Sequence, residues 1–246
     1  MYGDPSGKAI ALSGDWQQMQ QELNAICDAA GISSADCSYY LYANAVQDEN
    51  GNVTYYVGIC TNGADAQGTS FQNLNSIAAT IGSIINDPRV VQLDILASGQ
   101  TVTDYAGEHR RIGPLGMTKG TEPAATYLGK DGKWHIALLD PNTDPGTLPA
   151  SLMRNYKPGY LNETILLGHE LGHIKGEWWP SIGERVMYFL FRTPKSNHDA
   201  VNLENKVRRI TDRLNPNPLE KQTQSLRIRF GRQLECSFSS TNHHRC

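Results

Sequence analysis

Apolar side chains recur at helical spacing near the start of the chain. Five of them are separated by 3, 4, 3 and 4 positions, a pattern that predicts one buried helix face. They are Trp16, Met19, Leu23, Ile26 and Ala30. Ser13 or Asp15 can cap the start of this helix, and Gly31 can end it. A further apolar stripe predicts a second helix from Ser70 to Asn86.

Runs of β-prone residues follow the first helix. The runs 39–46 and 52–60 lie on either side of a turn that contains Asn50 and Gly51. An Asn-Gly pair between two such runs predicts a β-hairpin. Shorter strands are predicted at 90–96 and 134–139, so the first half of the chain supplies most of the strands.

The stretch 97–133 is rich in Gly, Thr and Pro, and it is predicted to form loops, with one further strand candidate at 125–128. Two helices are predicted after it, at 162–176 and 197–214. Strands first and helices later are typical of an α+β domain.

The chain contains no internal repeat and no long linker. We therefore predict one domain from 13 to 231, with a leader at 1–12 and a polar tail at 232–246. A chain of 246 residues can bury a sizeable core without cross-links.

Charge is divided unevenly along the chain, although the total is only −3. Residues 1–163 carry 9 basic and 17 acidic side chains, whereas residues 164–246 carry 13 basic and 8 acidic ones. The near-neutral total argues against nucleic acid as a partner. We expect no membrane span, because no apolar run approaches about 20 residues. We also expect no signal peptide, because the first residues lack a basic and then apolar segment.

Five cysteines are present, and none forms a CxxC pair. Cys27 with Cys37, and Cys236 with Cys246, are each ten positions apart and could close small loops in an oxidising compartment. The weak spacing signal favours unpaired thiols over disulfides.

The segment His169-Glu170-Leu171-Gly172-His173 is an HExxH sequence. On a helix, residues i and i+4 share a face, so the two imidazoles can converge on one metal ion. Glu170 would then face a water on that metal. This helix also holds Gly168 and Gly172, which cost stability inside a helix, and their spacing would let another backbone, such as a sheet strand, approach closely.

A zinc site of this kind needs a third protein ligand. Trp179 stands where a third histidine would lie in the longer HExxHxxGxxH pattern, so that subclass is excluded. The helix at 197–214 offers His198, Asp199 and Glu204. The position of its apolar stripe favours Asp199 and Glu204, whereas the chemistry of zinc favours imidazole, and we choose His198 with the other two left open.

A donor to the oxyanion of the reaction is also required. The sequence offers Tyr188, Arg208, His243 and His244, and spacing does not choose among them. Arg208 follows Glu204 by one helical turn, so a structural pair between these two side chains is the simpler interpretation.

Two segments together resemble the effector-type zinc metallopeptidases. The first is Leu-Leu-Gly-His-Glu-Leu-Gly-His at 166–173, and the second contains Ala200-Val201 and Glu204-Asn205-x-x-Arg208. That group includes type III effectors of enteropathogens that cut host MAP kinases. Many relatives are C-terminal toxin domains of Rhs and other polymorphic toxins. The opening Asp4-Pro5-Ser6-Gly7 is similar to the end of an Rhs core, so the leader at 1–12 would follow a delivery core.

The resemblance implies a zincin-like fold, in which a small mixed sheet packs on the active-site helix and a second helix supplies a ligand. It implies Zn²⁺ held by His169, His173 and a third side chain, with Glu170 as general base for peptide-bond hydrolysis. The family commonly has an acidic residue in the region of the third ligand, where this chain has Asn197-His198-Asp199, and His198 is our choice on the chemistry of zinc. It also implies a toxin that is secreted, or delivered into a target cell within a larger protein, with a protein substrate there and a cognate immunity protein. We expect a monomer.

Two other functions stay open at this point. A zinc amidase that acts on cell-wall peptides would use the same residues. A catalytically inactive binding effector would keep the scaffold and act by docking, with the basic C-terminal third as its contact surface.

Overall fold

The computed structural model describes residues 10–12, 14–60, 69–113, 121–140, 163–179, 197–214, 226–230 and 234–238. Within these residues the protein is a mixed α+β structure with six helices and three sheets. The helices are α1 (Trp16–Ala29), α2 (Cys37–Tyr40), α3 (Phe71–Leu74), α4 (Ser76–Ile85), α5 (Glu163–Trp178) and α6 (Asn197–Leu214). The strands are β1 (Ile10–Leu12), β2 (Leu41–Gln47), β3 (Val53–Ile59), β4 (Val91–Leu96), β5 (Thr101–Thr103), β6 (His109–Ile112), β7 (Thr121–Glu122), β8 (Ala124–Leu128), β9 (Trp134–Leu139), β10 (Leu226–Phe230) and β11 (Leu234–Phe238).

The main sheet has six strands in the order β2-β3-β1-β4-β9-β8. The pairs β1–β4 and β4–β9 are parallel, and the other neighbours are antiparallel. A three-stranded sheet has the order β5-β6-β7, and β10 pairs with β11 in a hairpin. The mixed sheet expected from the sequence is therefore present, with β8 at one edge.

The main core lies between the six-stranded sheet and the helices. It joins buried side chains of α1, α4, α5 and α6 to one face of the sheet. A smaller cluster on the other face joins the sheet to β5 and β6. It consists of Val102, Ile112, Ala125 and Ala137. Successive side chains of β8 and β9 point to opposite sides of the sheet, so these two strands contribute residues to both clusters.

Helix α1 begins as predicted, with Asp15 as its cap. The Asp15 carboxylate accepts a hydrogen bond of 2.9 Å from the backbone N–H of Gln18, and Gly31 follows the helix with φ +79°. Trp16 was predicted on the buried face but is 65% exposed. It is the first residue of the helix, and there the apolar stripe extends past the edge of the core.

The single helix predicted from Ser70 to Asn86 is wrong at Asn75, where α3 ends and α4 begins. Asn75 is extended, and its side-chain oxygen accepts hydrogen bonds of 2.9 Å from the N–H groups of Ile77 and Ala78. Its amide also donates to the carbonyl of Ala30 at 2.7 Å. Asparagine side chains compete with helical hydrogen bonds in this way, which favours a new cap over a continuous helix.

The prediction of loops over 97–133 is wrong where β5, β6 and β7 lie, whereas the strand candidate at 125–128 is confirmed as β8. The first three are short and polar, and they lack the alternation that identifies a strand in sequence. Two boundaries change as well. Ile10–Leu12, assigned to the leader, form the buried strand β1 inside the main sheet, and β11 lies within the predicted polar tail.

Cys27 and Cys37 form a disulfide between the end of α1 and the start of α2. This differs from the favoured interpretation of unpaired thiols. Both residues are buried, at 0% and 2% exposure. Among the described residues, no helix combines the length and apolar character needed to cross a membrane.

Candidate metal centre

Helix α5 contains the HExxH residues. Glu163 lies in its first turn and Lys175 in its last, so each side chain has the charge that is favourable at its end of the helix dipole. Most of its side chains are buried, because the helix packs against the sheet on one side and against α6 on another. The predicted helix at 162–176 is therefore present at 163–178.

His169 and His173 meet on one face of α5. Their Nε2 atoms are 3.1 Å apart, and the two rings are nearly perpendicular, at 81°. His169, Glu170 and His173 each offer a ligand atom, and these atoms lie within 4.8 Å of one another. Two imidazole nitrogens on a tetrahedral zinc would be about 3.3 Å apart, so the observed separation fits this ion with little movement.

Glu170 is 5% exposed and lies against strand β8. Thr126 Oγ1 donates a hydrogen bond of 2.7 Å to its Oε2 atom and is also 3.3 Å from its backbone carbonyl. Burial raises the pKa of Glu170, and this effect outweighs the opposing influence of His169, Thr126 and Arg110. Burial therefore favours the protonated form of this carboxyl.

The other ring nitrogen of His169 contacts α6. Nδ1 lies 2.9 Å from Oε2 of Glu204. The second oxygen of Glu204 accepts hydrogen bonds from Arg208, at 3.1 Å from Nε and 2.5 Å from Nη2. The pair predicted between Glu204 and Arg208 is present, and both side chains are almost completely buried.

Gly168 and Gly172, two of the three glycines of α5, allow helix α6 to approach α5 closely. A Cβ on Gly172 would clash with the Cα of Ala200 and lie 2.8 Å from the carbonyl oxygen of Asp199. A Cβ on Gly168 would lie 2.5 Å from Cγ2 of Val207. The neighbouring backbone belongs to helix α6, not to a sheet strand as suggested from the sequence.

The three candidate third ligands lie on α6 in different surroundings. Asp199 is 2% exposed, and its Oδ1 is 3.5 Å from the ammonium of Lys175. Among the described side chains, neither Asp199 nor Glu204 joins the close group formed by His169, Glu170 and His173. His198 lies in the first turn of α6, but its side chain is outside the described part, so its assignment as a ligand stays a prediction.

The oxyanion donors considered from the sequence are only partly described. Arg208 is fully buried and paired with Glu204, which matches a structural role. Tyr188, His243 and His244 lie outside the described residues.

Sequence reasoning missed Thr126, Arg110 and Glu122. Arg110 and Glu122 are 3.9 Å apart, and the positive charge of Arg110 lowers the pKa of Glu170. Burial raises the pKa of Glu122, and the charge of Glu170 raises it further, while Arg110 opposes both. All three residues come from strands β6, β7 and β8, in the stretch that was predicted to be loops, and only the strand candidate at 125–128 signalled any of them.

No protein-family model, no curated protein and no solved structure matches this chain.

Proposed function

We propose that this protein is a zinc-dependent endopeptidase with a zincin-like arrangement, acting as a secreted or delivered effector or toxin. The observation that carries the proposal is the His169–His173 pair, with Nε2 atoms 3.1 Å apart, beside the buried carboxyl of Glu170. These residue types at this spacing suit zinc.

Bound zinc would act as a Lewis acid that polarises a water molecule and a scissile carbonyl. His169 and His173 would hold it, with His198 as the expected third ligand. Glu170 takes a proton from the attacking water and passes it to the leaving amine. Thr126 holds Oε2 of Glu170, so we assign this proton transfer to Oε1.

Two further observations support the proposed function. Burial favours the protonated form of Glu170, which suits a group that must release the proton it accepts. The buried Cys27–Cys37 disulfide fits a protein that passes through an oxidising compartment. A protein substrate in the target cell and a cognate immunity protein belong to the same proposal.

The proposal is tested by comparing the wild type with Glu170→Gln. Glutamine can still accept the hydrogen bond from Thr126, but it cannot accept the proton. We expect both proteins to hold one zinc per chain by elemental analysis, whereas Glu170→Gln loses about 10²- to 10⁴-fold in proteolysis. Removal of zinc by a chelator should abolish wild-type cleavage, measured as new protein N-termini in lysates of intoxicated cells.

Glu177→Gln is the matched control, because the same change falls on an exposed position of the same helix. Absence of stoichiometric zinc from the wild type would contradict the proposal. Full toxicity of Glu170→Gln would favour the docking function instead, and cleavage confined to cell-wall peptides would favour the amidase.

A further inference from the structure

The two oxygens of Glu204 contact different side chains. Oε1 accepts both hydrogen bonds from Arg208, and Oε2 lies on Nδ1 of His169 at 2.9 Å. The side chains of Glu204 and Arg208 are 2% and 0% exposed. A guanidinium in a protein stays charged and only donates hydrogen bonds, so it holds the carboxylate beside it strongly in place.

This contact decides which nitrogen of His169 carries the proton. An ionised carboxylate only accepts hydrogen bonds, so Nδ1 of His169 must be the donor. With Nδ1 as the donor, Nε2 is the ring nitrogen left to bind a metal. That atom faces Nε2 of His173. The proposed metal would be bound by these two nitrogens.

Glu204 therefore lies on the far edge of the His169 ring from the proposed metal. It is also absent from the group of close ligand atoms formed by His169, Glu170 and His173. Carboxylates that bind the second nitrogen of a metal-ligating histidine fix its orientation and raise its basicity.

We infer that Glu204 is a positioning residue, which Arg208 holds in place and which turns Nε2 of His169 toward the metal without binding the metal itself. This inference rests on the proposed zinc site, and it removes one of the alternatives for the third ligand. It also explains why a buried arginine is present on α6, since its guanidinium neutralises and orients the carboxylate.

The tautomer of His169 is measured first, by long-range ¹H–¹⁵N NMR of histidine-labelled, metal-free protein. We expect a protonated Nδ1 and an unprotonated Nε2. The opposite tautomer overturns the inference. This measurement needs no variant of Glu204, so it decides the question even where a substitution prevents folding.

The second measurement is metal binding by Glu204→Gln, with Glu177→Gln as control. Glutamine can still accept from Nδ1, but more weakly. We expect one zinc per chain with affinity reduced about 10- to 100-fold, and visible absorption bands of the Co²⁺-loaded protein at unchanged positions. Changed Co²⁺ bands, loss of stoichiometric binding or unchanged affinity each overturn the inference.

The outcomes for the inference and for the proposed function are distinguishable. A wild type that binds no zinc overturns the proposed function, and the tautomer of the metal-free protein still decides whether Glu204 holds His169.

Discussion

Thr126 contacts Glu170 across 44 positions of the chain, and Glu204 contacts His169 across 35. The α5 side chains Glu170 and His169 are therefore each held by a residue from another element. Such contacts restrict side-chain rotation, and in the proposed enzyme they would keep both groups in their working geometry. Under the proposed function, His169 and Glu170 would supply the chemistry, and Glu204 and Thr126 would orient them.

The Glu163 side chain, at the start of α5, predicts a pH dependence of folding. Burial raises its pKa from 4.5 to about 7, although a hydrogen bond from Gln21 opposes the shift. The folded state thus holds this proton after the unfolded state has lost it. The free energy of unfolding should fall as pH rises from about 4.5 to about 7, and stay level above that.

Glu163→Gln should lack this part of the pH dependence and should be about 1–3 kcal/mol more stable than the wild type at pH 8, a range reduced for partial exposure. Urea unfolding at pH 5 and pH 8 measures the difference. Glu177→Gln, on the exposed side of α5, should follow the wild type. Equal pH dependence in the wild type and Glu163→Gln would contradict the prediction.

Residue chemistry was predictable where it is local. His169, Glu170 and His173 lie within about one turn of the same helix, so their spacing in the sequence is enough to place them together. Thr126 was not predictable as a partner of Glu170, because nothing in the sequence links a strand residue to a helix residue 44 positions away. The Glu204–Arg208 pair was predictable as an i,i+4 contact, whereas its contact with His169 was not.

At the scale of elements, the packing of α5 on α6 determines the geometry of the centre. Gly168 and Gly172 let the second helix approach so closely that Ala200 contacts the α5 backbone. Glu204 reaches His169 only because the helices are this near. Two glycines that weaken an isolated helix therefore gain a function in the folded protein.

Gly172→Ala should separate the two helices, because its Cβ meets backbone atoms that cannot rotate away. We expect the free energy of unfolding to fall by about 2 kcal/mol or more, together with weaker zinc binding. Gly82→Ala is the control, since its Cβ meets only the flexible side chain of Gln72 and should change stability by no more than about 1 kcal/mol. Denaturant unfolding of both variants checks this, and similar stabilities would contradict it.

The Cys27–Cys37 disulfide predicts a second effect at this scale. The two sulfurs close a loop with a sequence separation of 10, and a cross-link of this size stabilises a fold by about 3 kcal/mol. We expect the double variant Cys27→Ala/Cys37→Ala, and the reduced wild type, to unfold at clearly lower denaturant concentration. Cys60→Ala, which removes a cysteine outside this disulfide, should not. Identical unfolding with and without reductant would contradict the prediction.

Long, strongly patterned elements were predicted more closely than short ones. Helix α6 begins and ends where the apolar stripe predicted, and α5 differs by one or two residues. The strands β5, β6 and β7 were missed, because two to four polar residues carry no periodic signal and depend on the neighbouring sheet. Asn75 was placed inside a helix for a related reason, since its role as a cap becomes clear only once it donates to Ala30.

For the whole molecule, the uneven charge of the sequence follows the architecture. The acidic first part, 1–163, contributes both larger sheets and helices α1–α4, while the basic part contributes α5, α6 and the hairpin of β10 and β11. The candidate centre is built mainly from the second part and is oriented by Thr126 from the first. Metal binding should therefore depend on the integrity of the complete fold, as is common for sites assembled from separate elements.

An anomalous-scattering map of crystals, recorded on both sides of the zinc absorption edge, tests the central claim most directly. The proposed function predicts one peak per chain, within about 2.0–2.1 Å of Nε2 of both His169 and His173. The same map identifies the third ligand, for which we expect His198, with Glu204 remaining on Nδ1 of His169. A protein that carries no zinc at this position when supplied with the metal would contradict the account.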